Sequence, residues 1–254
     1  MANDKLKITI KNKAEIEKMK KAGSIAALVL DTIKNEIKPG MTTTLIDQRA
    51  EEIILQNKAG FSFKGFGGYP AATCISINEE VVHGIPKNRT IEEGDLVGID
   101  VGVNYQGYHA DTAISVGVGK ISQEKQKLLK ITQESLGNGI ALVKPGVHLG
   151  DIQAAIQATI ESAGFGVIRD LSGHGIGTKL QEPPSIPNFG RAGTGLILRE
   201  GMTIALEPMV SAGDYHIMIK ADGWTVITAD GSPSAHFEHT IAVTETGAEI
   251  LTKL

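Results

Sequence analysis

A series of short motifs is written twice along this chain, and that repetition restricts the fold more than any other feature. The first copy reads His83-Gly84-Ile85, then Glu93-Gly94 with Asp100 six residues on, then His109-Ala110-Asp111. The second reads His174-Gly175-Ile176, then Glu200-Gly201 with Glu207 six residues on, then His236-Phe237-Glu238. Upstream, Lys38-Pro39-Gly40 recurs as Lys144-Pro145-Gly146, and Ala59-Gly60-Phe61 as Ala163-Gly164-Phe165. A period above about 100 residues is too long for a solenoid repeat. It predicts one domain over residues 1–254 made of two related halves, about 1–118 and 119–254, which aim six polar side chains at one shared place. Four acids gathered in one cleft repel one another and need cations.

A chain of 254 residues can bury a large single core, and its 30 glycines with few aromatics suit a compact enzyme with many turns. The net charge of −4 provides no electrostatic footprint for nucleic acid or an anionic membrane. Cys74 is the one cysteine, so no intramolecular disulfide forms and a reducing compartment is expected. Met1 to Lys21 is lysine-rich and broken by charges, unlike a signal peptide, and no run reaches the roughly 20 apolar residues of a membrane span. The expected location is the cytoplasm.

Ile16, Met19, Gly23, Ala26, Leu30, Ile33 and Ile37 recur in threes and fours, which predicts one stripe of a long helix ending before Pro39-Gly40. Thr44 with Asp47 has the form of a capping box opening a second helix that stops at Gly60. The second half repeats the plan, with one helix from about Ser122 toward Pro145 and another carrying Ile152, Ile156 and Ile160. Thr73 to Ile77, Leu96 to Val103, Thr203 to Leu206 and Thr240 to Val243 read as strands. Helix pairs outside a mostly antiparallel sheet make an α+β architecture.

Asp100 and Asp111 are the informative pair. A hairpin folded between Tyr105 and Gln106 sets them directly opposite each other, with Cβ atoms about 4.5–5.5 Å apart. A proton or a metal must then lie between the carboxylates, and a metal pair about 3.5–4 Å apart fits the space. A lone hairpin aspartate is ordinarily a solvated surface residue. Ile99 and Val101 flank Asp100, however, and Glu207 lies in the apolar run Ile204 to Val210, so both carboxylates are placed where an unpartnered charge is costly.

Five segments together resemble the methionine aminopeptidase family, in its short bacterial-like type I form. They are Asn78 to Pro86, the Asp100 to Asp111 spacing, Gly173-His174-Gly175-Ile176-Gly177, Leu206-Glu207-Pro208-Met209 and Glu238-His239-Thr240. The resemblance covers nearly the whole chain. It implies the pseudo-two-fold "pita-bread" fold, a curved antiparallel sheet with two helix pairs outside. It also implies two divalent metal ions (Co, Mn, Fe or Zn) held by Asp100, Asp111, His174, Glu207 and Glu238. Asp111 and Glu238 would bridge the metals, Asp100 would hold one, and His174 with Glu207 the other. Such an oxygen-rich set suits hydrated divalent cations. Glu207 would double as general base, and His83 would stay off the metals to hydrogen-bond the scissile amide.

The family reading further implies removal of the initiator methionine from nascent chains near the ribosome, by a monomer. By position, Phe63, Phe66, Tyr69, Cys74 and Trp224 match the pocket for the methionine side chain, and aromatic walls suit a flexible thioether. Gln181 departs from the pattern, because the family usually places a His before Glu-x-Pro and this chain reads Leu180-Gln181-Glu182-Pro183. A Gln amide donates a hydrogen bond but carries no charge, so weaker oxyanion stabilisation is expected. His109 and His236 each stand two residues before an acid, on the same face of a strand, where they could support a ligand from behind. The rival readings are a proline-specific aminopeptidase or dipeptidase of the same fold, whose relatives usually carry a large N-terminal domain, and a non-catalytic binding relative, which typically loses metal ligands.

Overall fold

A computed structural model describes residues 8–254. The first half contains α1 (Lys13–Glu36), α2 (Thr43–Gln56), β1 (Gly60–Phe61), β2 (Thr73–Ile77), β3 (Glu80–Val82), β4 (Leu96–Tyr105) and β5 (Tyr108–Gly117). The second opens with α3 (Gln123–Ala141) and α4 (Leu149–Ser162), followed by β6 (Gly166–Val167), β7 (Ser172–Gly175), β8 (Glu182–Pro187), β9 (Thr203–Leu206) and β10 (Met209–Ser211). It closes with β11 (Ile217–Ile219), β12 (Val226–Thr228), β13 (Ser234–His236), β14 (Glu238–Val243) and β15 (Ala248–Ile250).

The expected stripe of α1 is buried at Met19, Gly23, Ala26, Leu30 and Ile33. Asn12 opens the helix with a full capping box, since its side chain accepts from the Glu15 N–H at 3.1 Å and Glu15 accepts from the Asn12 N–H at 2.8 Å. Ser122 caps α3 as expected. The expected cap of α2 is corrected: Thr42, not Thr44, accepts from the Leu45 N–H. Asp47 is drawn away from the helix end, where its carboxylate accepts from the N–H groups of Ala72 and Thr73 and from the Thr73 hydroxyl. Three long-range donors outweigh one local cap, and they pin α2 to the start of β2.

The main sheet runs β1-β4-β5-β14-β9-β7-β8, with β2 also on β4 and β15 on β14, and every pairing is antiparallel. The two halves of the sequence meet at the β5–β14 seam. On one face, Val97, Ile99, Val101 and Val103 of β4 pack with α1 and α2. On the same face of the second half, Ile204, Leu206, Ile241 and Val243 pack with α3 and α4. Each such side chain contributes about 1.5–3 kcal/mol by leaving water. Strand alternation therefore turns Asp100, Asp111, Ala205, Glu238 and Thr240 to the other face. No helix among the described residues is long and apolar enough to cross a membrane.

The β4–β5 hairpin corrects the expected register. Its turn is centred on Gln106 and Gly107, with φ of +52° and +82°, so Tyr105 pairs with Tyr108 and Asp100 with Ala113 rather than Asp111. A two-residue turn matched to strand twist needs positive φ at both central residues. Placing Gly107 at the second of them satisfies that need; a turn centred one residue earlier would have put Tyr105 in the left-handed region.

Candidate active site

The corrected register sets out the site as two rows across the open face of the sheet. Asp100 pairs with Ala113, and Ala113 with Glu238. In the next row Asp111 pairs with Gly102 on one side and exchanges hydrogen bonds with Thr240 on the other, the Asp111 N–H donating at 2.9 Å and the Thr240 hydroxyl donating to the Asp111 carbonyl at 2.8 Å. Thr240 pairs with Ala205, and Ala205 with His174. Glu207 follows two residues after Ala205, just past the end of β9. The intervening places hold Gly102, Ala113, Ala205 and Thr240, small side chains that leave the space above the sheet to the four carboxylates and the imidazole.

These groups are close and poorly paired. The ligand atoms of Asp111, His174 and Glu238 all lie within 4.8 Å of one another, and His174 Nε2 is 3.6 Å from a Glu207 oxygen. Because the Gly175 carbonyl can only accept, its 2.9 Å contact with His174 Nδ1 fixes the proton there and leaves the Nε2 lone pair for a metal. Asp100 Oδ1, Asp111 Oδ1 and Glu238 Oε1 are buried without a hydrogen-bond partner among the described residues. No described lysine or arginine forms an ion pair with the four acids.

Burial pushes the Asp111 carboxyl up to about 7. Burial first, then the neighbouring acids, drives Asp100, Glu207 and Glu238 well above the usual carboxylate range. Buried carboxylates with orphaned oxygens and no lysine or arginine partner among the described residues are a donor set that divalent cations fit, since each cation replaces several repulsions with attractions.

Every other residue expected at the site lines the same cavity of about 310 Å³: Phe63, Phe66, Tyr69, Cys74, His83, Gln181 and Trp224. Trp224 stands edge-on to Tyr69, with ring centroids 5.1 Å apart, and the Asp222 carboxylate holds its turn by accepting from the Trp224 N–H. Cys74 pairs with Asp100 across β2 and β4. The Phe63 ring occupies the space over Gly102, where an added Cβ would come within 2.6 Å of it. His83 follows β3 with φ of +58°, a left-handed bend uncommon for a residue with a side chain, and its burial lowers the imidazole pKa so that the ring is neutral at pH 7.

Sequence reasoning missed part of the wall, since Val82, Leu171, Ser172, Leu180 and Met209 also line the cavity. Ser172 was discoverable, because it alternates with His174 on β7. The paired reading of His109 and His236 splits. Ser62 and Asn104 engage both ring nitrogens of His109, at 2.8 Å each, away from the acids. His236, in contrast, faces Glu207 and Glu238.

The model of metallopeptidase family M24 matches residues 17–245. The chain belongs to metallopeptidase family M24. Among its relatives in that family, a Clostridium perfringens protein named methionine aminopeptidase is 49% identical over 96% of this chain and 98% of its own length. Methionine aminopeptidase 1 of Bacillus subtilis is 47% identical over 97% of this chain and its full length. The crystal structure of methionine aminopeptidase from Thermotoga maritima superposes with a TM-score of 0.97 at 51% identity, covering 98% of this chain and 100% of that one. A Pyrococcus furiosus prolidase shares the fold more distantly, with a TM-score of 0.77 and 27% identity, and this chain covers 65% of it. The M24 chain thus has the expected α+β pita-bread fold.

Proposed function

We propose that the chain is a type I methionine aminopeptidase that removes the initiator methionine from new polypeptides in the cytoplasm. One observation carries this reading: Asp100, Asp111, His174, Glu207 and Glu238 line one cavity together with Phe63, Tyr69 and Trp224. Full-length relatives bearing that name support it. The duplicated motifs are read as two halves of one catalytic domain.

Asp100, Asp111, His174, Glu207 and Glu238 are assigned to hold two divalent cations, of Co, Mn, Fe or Zn. When bound, they would supply an acidified water and a polarised carbonyl. The protein's own groups do the rest. Phe63, Phe66, Tyr69, Cys74 and Trp224 receive the methionine side chain and exclude water from it. Glu207 accepts a proton from the attacking water at a carboxylate oxygen, a role suited to a carboxylate at the edge of the metal site. His83 hydrogen-bonds the scissile amide from the cavity wall. Gln181 donates an amide N–H toward the developing oxyanion without adding charge. The expected partners are peptide and nascent-chain N-termini near the ribosome, with the enzyme a monomer that binds neither nucleic acid nor membrane.

The test is hydrolysis of Met-Ala-Ser against Ala-Pro and Gly-Pro peptides after chelation and metal add-back. The expected result is metal-dependent release of methionine. Cleavage confined to the proline peptides would replace the substrate class with that of the prolidase-like relatives, and no cleavage with any metal would leave a binding protein.

A further inference from the structure

His236 lies outside the five donors assigned above, yet it is built toward them. It is 4% exposed, and its Nε2 has no hydrogen-bond partner among the described residues. That atom stands 3.8 Å from a Glu238 oxygen and 4.0 Å from a Glu207 oxygen, both too far for hydrogen bonds. Metal bonds of about 2 Å place neighbouring donors on one cation about 3–4 Å apart, which is the spacing seen. The backbone behind the ring is fixed: the His236 N–H donates to Ser115 Oγ and the Ser115 hydroxyl donates to the His236 carbonyl, each at 2.9 Å. His109, its counterpart in the repeat, has both nitrogens engaged.

Glu207 consequently sits between two imidazoles. Its Oε1 is 3.6 Å from His174 Nε2 and its Oε2 is 4.0 Å from His236 Nε2. We propose that His236 Nε2 is a metal donor, closing with Glu207 and Glu238 a second three-donor set beside that of Asp111, His174 and Glu238. The proposal rests on the metallopeptidase reading and adds to it a nitrogen ligand that the family resemblance does not assign. A site with an added imidazole favours zinc, cobalt or iron over manganese.

Protein labelled with 15N in histidine, stripped by chelation and titrated with zinc alone, tests this through the ring nitrogens seen in long-range 1H–15N NMR. Two histidines, His174 and His236, are expected to move to metal-bound nitrogen shifts, and the His236→Gln variant is expected to lose one of them. Calorimetry should show the variant binding zinc at least about tenfold more weakly while its manganese affinity changes less. The proposal is overturned if His174 alone moves at saturating zinc. If no histidine nitrogen moves, the metallopeptidase reading itself fails. The wild-type titration decides between these outcomes, so a variant that does not fold leaves the test intact, and His236→Asn provides a second assignment.

Discussion

Asp100 and Asp111 share one face of the β4–β5 hairpin as diagonal neighbours, since Asp100 is opposite Ala113 and Asp111 is opposite Gly102. The two-residue offset brings Glu238 into the row of Asp100 through Ala113, so acids from both halves of the sequence meet over one small residue. Ala113 and Gly102 hold the space that directly opposed aspartates would have closed.

Gly102 is a sensitive point of that arrangement. In Gly102→Ala the new Cβ would stand 2.6 Å from the Phe63 ring and 2.7 Å from Ser62 Cβ. Overpacking of this kind costs about 1–3 kcal/mol. A lowered melting temperature is expected, together with a raised KM for methionyl peptides and a smaller change in kcat. An unchanged KM would show that Phe63 is no part of the pocket.

The metal-free protein should lose stability as pH rises above about 6.5. Asp100, Asp111, Glu207 and Glu238 have folded pKa values above their unfolded ones, Asp111 at about 7. The folded state therefore binds more protons than the unfolded state, and stability falls as pH climbs through the folded pKa. His236 and His239, lowered by burial to about 3 and about 4, act with opposite sign but only below their unfolded pKa of about 6.5. Thermal unfolding in chelator between pH 6.5 and 8.5 should show a falling midpoint that divalent metal abolishes and that Asp111→Asn reduces.

Gln181→His should raise kcat/KM for a methionyl peptide by about tenfold, a fraction of the 10²–10³ that one oxyanion donor typically supplies. The comparison is made with metal at saturation. Equal values for the two proteins would remove Gln181 from the catalytic machinery.

Lys11 and Glu182 form a buried ion pair at 2.6 Å, and the same carboxylate accepts from Thr9 Oγ1 and the Lys179 N–H. This pair ties the chain before α1 to the loop carrying Gln181. Lys11→Met leaves Glu182 buried without its cation, a change that costs about 3–5 kcal/mol. Lys11→Met combined with Glu182→Met should recover most of that loss in a denaturant titration.

Much of this was legible before the fold was known. The stripe on α1 follows from spacing, because a helical period has one way to bury its apolar face, while the strands at Thr73 to Ile77 and Thr203 to Leu206 follow from short runs of β-forming residues that are buried on both faces. The repeat called six polar side chains to one place, the family resemblance narrowed them to five donors, and all of them reach the cavity. The cap of α2 and the hairpin register did not follow. Asp47 was claimed by backbone donors 25 and 26 residues away, and the choice between two adjacent turn positions rested on positive φ at Gln106 and Gly107.

The sequence by itself determined which residue types would gather, because repetition and apolar flanks are local properties. Only the tertiary structure decided who stands beside whom. His109 and His236 are equivalent in the repeat, yet one is taken by Ser62 and Asn104 while the other faces Glu207 and Glu238. A side chain's partners are set by the strands and loops that the fold brings beside it, and that nearness in space is not written in the spacing of the motifs.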